Sequence, residues 1–166
     1  MIYGIFIGEG EPGYTLMKKV FNSMENDQLK FNWLIANYEC FPVTEEYEKI
    51  FGWHTCSPVF MSGERITEIV NTEDFQWVWG TFLSFAKDIS EEEIMSHKLP
   101  WCDEYNGYWK IPYSMQHPLA ETEIIAFDST FTIVLTKNKE LYDKIRKAYP
   151  LSVDLEDEIK SDKKYH

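Results

Sequence analysis

Apolar and polar positions keep their clearest period between Glu123 and Tyr149. Ile124-Ile125-Ala126-Phe127 is apolar and β-prone, Asp128-Ser129-Thr130 reads as a turn, and Phe131 to Thr136 is a second strand-like run. Asn138 stands where a helix N-cap belongs, ahead of Leu141, Ile145, Ala148 and Tyr149 at i, i+4, i+7 and i+8. Pro150 ends that helix. Turn chemistry explains Asp128 and Ser129, which bond their own backbone in such positions, so the unit reads as scaffold.

The same reading carries along the chain. Ile2 to Ile7 alternates around Gly4 as a first strand, and Met17, Val20, Phe21 and Met24 mark an amphipathic helix within Tyr14 to Met24. Phe31 to Ala36 reads as a strand covered on both faces. Thr44 and Gly52 bracket a short helix with Tyr47, Ile50 and Phe51, and a short strand is expected at Val59 to Met61. Ser62-Gly63 introduces a helix over Glu64 to Val70. Phe75 to Phe85 predicts one bent strand with a bulge at Gly80. Ser90 and Glu93 form a capping box, with Ile89 and Ile94 as its hydrophobic staple, for a helix ending near His97. Leu99 to Leu119 is a structured loop rich in proline, glycine and aromatics, with a strand expected at Tyr108 to Ile111. Asp154 to Glu158 reads as one helical turn.

Strands that adjoin without helices between them favour an α+β fold with a largely antiparallel sheet and helices packed on it. With 166 residues, one domain over 1–160 is expected, followed by a frayed tail at 161–166. Nothing resembles a signal peptide, and no apolar run approaches the ~20 residues that span a bilayer. The three cysteines, Cys40, Cys56 and Cys102, are odd in number and lack a C-x-x-C pair, as reduced thiols of a cytoplasmic protein would be.

A formal net charge of −12 disfavours nucleic acid and suits a basic protein partner. Catalytic signatures are weak. Gly8-x-Gly10-x-x-Gly13 matches a dinucleotide fingerprint on paper, but Glu9 and Glu11 repel a pyrophosphate and Pro12 removes a backbone donor. His54-x-Cys56 is a single short-spaced pair where zinc sites usually need two. Asp103 and Glu104 beside Cys102 should raise its thiol pKa, the opposite of what a nucleophile needs. No cofactor or metal is implied, and the balance leans away from an enzyme.

The order of features resembles an uncharacterised family of small bacterial proteins from Bacillus and related Firmicutes. The matching pieces are Gly4-Ile5-Phe6, Phe31-Asn32-Trp33, Ser62-Gly63-Glu64-Arg65-Ile66, and Asp128-Ser129 with Lys137 to Ile145. The Leu99 to Leu119 loop and the acidic tail depart from that pattern. The resemblance implies a fold and no activity.

Attention therefore falls on the aromatic loop. Trp101, Tyr105, Tyr108, Trp109 and Tyr113, with Asp103 and Glu104 among them, would make a docking face for a basic partner, as in an immunity- or antitoxin-type inhibitor. The plain alternative is a lid that buries those rings against the sheet. Two further readings stay open. One is an enzyme or small-ligand binder with a pocket near Cys102, Asp103 and His117. The other is a homo-oligomer paired through strand edges or the loop.

Overall fold

The period-2 runs of the sequence become strands of one antiparallel sheet, and the remaining elements cover its two faces. The computed structural model describes residues 1–52, 57–102 and 104–161. The strands are β1 (Tyr3–Ile7), β2 (Phe31–Cys40), β3 (Val59–Ser62), β4 (Trp77–Ala86), β5 (Thr122–Phe127), β6 (Phe131–Thr136) and β7 (Val153–Asp154). Their order is β3-β2-β4-β5-β6-β1-β7, with every neighbouring pair antiparallel. The helices are α1 (Met17–Ser23), α2 (Glu45–Phe51), α3 (Gly63–Thr72), α4 (Glu91–Met95), α5 (Lys139–Ala148) and α6 (Leu155–Ser161). The fold is thus α+β, as the adjoining strand patterns predict.

Alternation assigns side chains to faces. Ile5, Ile7, Trp33, Ile35, Phe82, Ile124 and Val134 point to one side, where they pack with residues of α1, α2, α3 and α5. Leu34, Leu83, Ile125, Ile133 and Leu135 point to the other side, under α4, α6 and the segment between β4 and β5. On the first face, Asp27 joins the layers by accepting hydrogen bonds from Lys30 and Lys144, the latter at 2.6 Å. The two lysines hold its carboxylate below the usual range, although burial acts the other way.

Caps follow the sequence closely. Ser62, Ser90 and Asn138 each accept a hydrogen bond from the backbone N–H three residues on, and Tyr149 precedes Pro150 at the end of α5. Ile89 and Ile94 share one cluster, as the staple requires. Thr44 occupies the N-cap of α2 but makes no capping bond; its hydroxyl instead donates to Glu73 at 2.7 Å.

Several boundaries differ from expectation. Tyr108 to Ile111 is not a strand: Asn106–Trp109 closes a 3-10 turn that folds Tyr108 onto the sheet. The bulge expected at Gly80 falls elsewhere, since Gly80 pairs regularly with Ala126. The ladder between β2 and β4 shifts twice, once on β2 between Ala36 and Glu39, where Asn37 adopts φ 46°, a conformation that asparagine tolerates better than most residues, and once on β4 between Trp77 and Trp79. The acidic segment forms the full α6 rather than a single turn, and β7 just before it pairs with β1. Among the described residues, no helix is long and apolar enough to cross a membrane.

Candidate functional site

The loop that begins at Leu99 and ends at Leu119 lies on the second face of the sheet, and one buried carboxylate is among the groups that fasten it there. Glu123 lies in phase with Ile125 and Phe127 on β5, so its side chain points under the loop and is fully buried. Its Oε1 accepts from the backbone N–H groups of Gln116 and His117, both at 2.8 Å. Its Oε2 is buried without a hydrogen-bond partner among the described residues. Burial pushes the carboxyl up to about 7, against the lowering effect of those two bonds.

From Gln116 the connections spread outward. Its side-chain oxygen accepts from Trp101 N–H at 3.1 Å, and its amide nitrogen donates to Trp101 C=O at 3.1 Å and to the Tyr108 hydroxyl at 2.5 Å. Tyr108 is fully buried, with the Tyr105 ring edge-on at 4.7 Å. Burial, and then the nearby charge of Glu123, raises its phenol well above the ordinary value. His117 is buried as well. Its Nδ1 accepts from Leu119 N–H at 3.2 Å, which leaves Nε2–H to donate to Ile94 C=O at 3.0 Å. Desolvation depresses its pKa, so the neutral ring matches both bonds.

Cys102 belongs to a different set of contacts. Its backbone N–H donates to Asn37 Oδ1 at 2.7 Å, and its thiol lies 2.9 Å from the Thr81 hydroxyl. Thus Cys102 anchors the loop to the β2 bulge, whereas His117 anchors it to α4 and Glu123. Both side chains are sealed from solvent. Asp103, His54 and Cys56 lie outside the described residues. Among the described residues, no group of three His, Cys, Asp or Glu side chains is placed to hold a metal.

The expected docking residues separate by exposure. Trp101 is 44% exposed and Glu104 is exposed, whereas Tyr105, Trp109 and Tyr113 are half-buried and Tyr108 offers no surface. Tyr108 and Cys102 are buried against the sheet, and Trp101 and Glu104 face outward. Beside Trp101, a cavity of about 110 Å³ opens between Leu99 and Pro100 of the loop and Asn37 and Tyr38 of β2. Gln116 and Glu123 stand outside the expected set. The period-2 phase of Glu123 with Ile125 and Phe127 was the available signal, because an acid in register with buried positions needs a partner. Nothing in the local sequence marks Gln116.

No protein-family model, no curated protein and no solved structure matches this chain.

Proposed function

We propose that the protein is a non-catalytic binding module for a basic protein partner, in the manner of an immunity- or antitoxin-type inhibitor. The observation that carries this reading is the setting of Trp101. A large indole stands 44% exposed beside an apolar cavity, on a backbone held at both its N–H and its C=O by one buried-anchored amide. An aromatic on a pre-positioned backbone next to a concavity is the usual anatomy of an interface anchor, since little backbone freedom is lost on binding. Glu104 nearby along the chain and the net charge of −12 supply attraction and steering for a cationic surface. The buried groups offer less to an enzyme reading. Glu123 and His117 have their polar contacts inside the fold, and no cavity named above reaches them.

Affinity capture from the source cell, with wild type and a Trp101→Ala/Glu104→Lys variant as bait, tests the reading. Wild type should retain a basic protein that added salt releases, and the variant should retain far less of it. Equal retention by both baits, or capture of no basic protein, would overturn the proposal.

A further inference from the structure

A second surface, with lining residues distinct from those around Trp101, lies at the end of the sheet where the β5–β6 hairpin turns. Trp79, Phe127, Phe131 and Phe6 come from β4, β5, β6 and β1, four strands adjacent in the sheet. Their rings form a continuous row. Phe127 and Phe131 pair across the hairpin and stack at 4.7 Å with planes 10° apart. Trp79 meets Phe127 at 4.8 Å, Phe6 meets Phe131 at 4.8 Å, and Trp109 stands edge-on to both central rings at 5.9 and 5.6 Å. All five are only half-buried, so the row keeps part of its aromatic surface at the outside of the molecule.

The row runs into a concavity. The last pair of β1 and β6 is Ile7 with Thr132, and one step further brings Gly8 beside Phe131. There a cavity of about 160 Å³ is lined by Phe6, Gly8, Glu9, Leu151, Val153 and Glu158. Leu151 and Val153 are 59% and 37% exposed at the β7 edge of the sheet. Carboxylates sit at two places along the surface: Glu9 and Glu158 in the cavity wall at one end, and exposed Asp128 in the turn between the two central rings, Phe127 and Phe131.

We infer that this row and its adjoining cavity form a docking groove for an extended, arginine-bearing segment of a basic protein. Three features select that chemistry. Ring faces attract a cation, and a planar guanidinium both stacks on them and reaches a carboxylate at the edge. Acids in the cavity wall and at the hairpin turn, on a chain of net charge −12, match a cationic strand and repel an acidic one. The apolar part of the cavity takes an uncharged residue between the arginines, the alternation that an extended peptide presents. The inference shares the cationic partner of the proposed function but places this contact on a separate surface.

The test uses a dye-labelled peptide of alternating arginine and proline, with a lysine–serine peptide of equal charge as reference, titrated by fluorescence anisotropy. The expected result is binding about tenfold tighter for the arginine–proline peptide. Truncating Phe131 risks the fold, so the diagnostic variant is Glu9→Lys/Asp128→Asn, in which asparagine tolerates the positive φ of the turn. Its control is Glu91→Lys/Glu92→Gln on α4, which changes the net charge equally. The Glu9/Asp128 variant should weaken binding about tenfold or more, and the control should leave it within about twofold. Equal weakening in both would indicate diffuse charge and overturn the groove, as would no binding to wild type. Loss of binding only in Trp101→Ala/Glu104→Lys would move the peptide to the loop, overturning this inference while leaving the proposed function standing. Concentration-dependent self-association that Glu9→Lys/Asp128→Asn abolishes would assign the groove to a second copy of the chain, and would also overturn it.

Discussion

The Gln116 carboxamide and the Trp101 peptide group form a reciprocal pair, each donating to and accepting from the other at 3.1 Å. Because the Gln116 backbone N–H is bound to Glu123, this pair connects an exposed indole to a carboxylate at the bottom of the fold. Replacing Gln116 by Ala leaves the Trp101 backbone and the Tyr108 hydroxyl without their partner. The expected cost is about 1–3 kcal/mol, chiefly from the buried Tyr108 hydroxyl left unsatisfied, since water can reach the Trp101 backbone. Urea denaturation measures that loss, and raised mobility of Trp101 by NMR relaxation would show that the anchor has come loose. An unchanged midpoint together with a rigid Trp101 would contradict the assignment.

Glu123 predicts a pH dependence of defined sign. Its carboxyl is pushed to about 7 in the fold against an ordinary value of 4.5. The folded state therefore holds a proton that the unfolded chain releases. Its stabilising contribution is full below about 4.5 and is lost as pH rises through about 7, a change of about 3 kcal/mol. His117 works in the opposite sense. Its depressed pKa disfavours the fold in acid, and that penalty disappears as pH rises past the ordinary imidazole value of 6.5. Glu123→Gln keeps an acceptor for the Gln116 and His117 amides but removes the titration. The stability of this variant relative to wild type should rise by about 3 kcal/mol from pH 4 to pH 8. Parallel profiles for the two proteins would show that Glu123 does not titrate in that range.

Gly63 opens α3 with its α-hydrogen against another chain segment. A Cβ there would stand 2.1 Å from the Gln28 carbonyl oxygen and 2.8 Å from Leu29 Cα. Both are backbone atoms, so neither can swing away. Gly63→Ala, ordinarily a gain of about 1 kcal/mol inside a helix, should here cost about 1–3 kcal/mol by thermal or chemical denaturation. A stabilised variant would mean that the 3-10 turn at Asp27–Lys30 can move aside.

The β5–β6 hairpin turns through Asp128 and Ser129, with φ of 47° and 55°. Two successive positive φ values are those of the turn type whose twist matches the flanking strands. Serine pays a steric penalty there that glycine does not, and the Ser129 N–H bond to Val78 C=O survives the substitution. Ser129→Gly should therefore stabilise the protein by about 0.5–1 kcal/mol. A measured loss would locate an unrecognised role in the Ser129 hydroxyl.

What the chain states locally, it states well. Asn138, Ser90 and Ser62 cap the helices that their spacing announces, and the strands flanking Asp128 and Ser129 fall where alternation puts them. These features depend on contacts within a few residues. Errors cluster where a distant segment decides. Tyr108 has strand propensity but is drawn into a 3-10 turn, because the second face of the sheet needs a large side chain at that depth. One bulge goes to Asn37, whose side chain holds Cys102 from 65 positions away, rather than to the conformationally freer Gly80. Of the site, the exposed Trp101 and Glu104 were legible as an aromatic and an acid in a polar loop. Gln116 was not, because its role is defined by partners at 101, 108 and 123 that no local pattern joins.

The place of β1 in the sheet sets a timetable for synthesis. Its neighbours on either side are β6 and β7, strands at 131–136 and 153–154. Ile5 and Ile7, among the most buried side chains, therefore leave the ribosome well over a hundred residues before either flank of their strand exists. During that interval both edges of an apolar strand are open, and the sheet cannot close until the C-terminal segment has emerged. Deletion of 150–161 uncovers one edge of β1, so the shortened chain should aggregate more readily than the intact one, as size-exclusion chromatography would show.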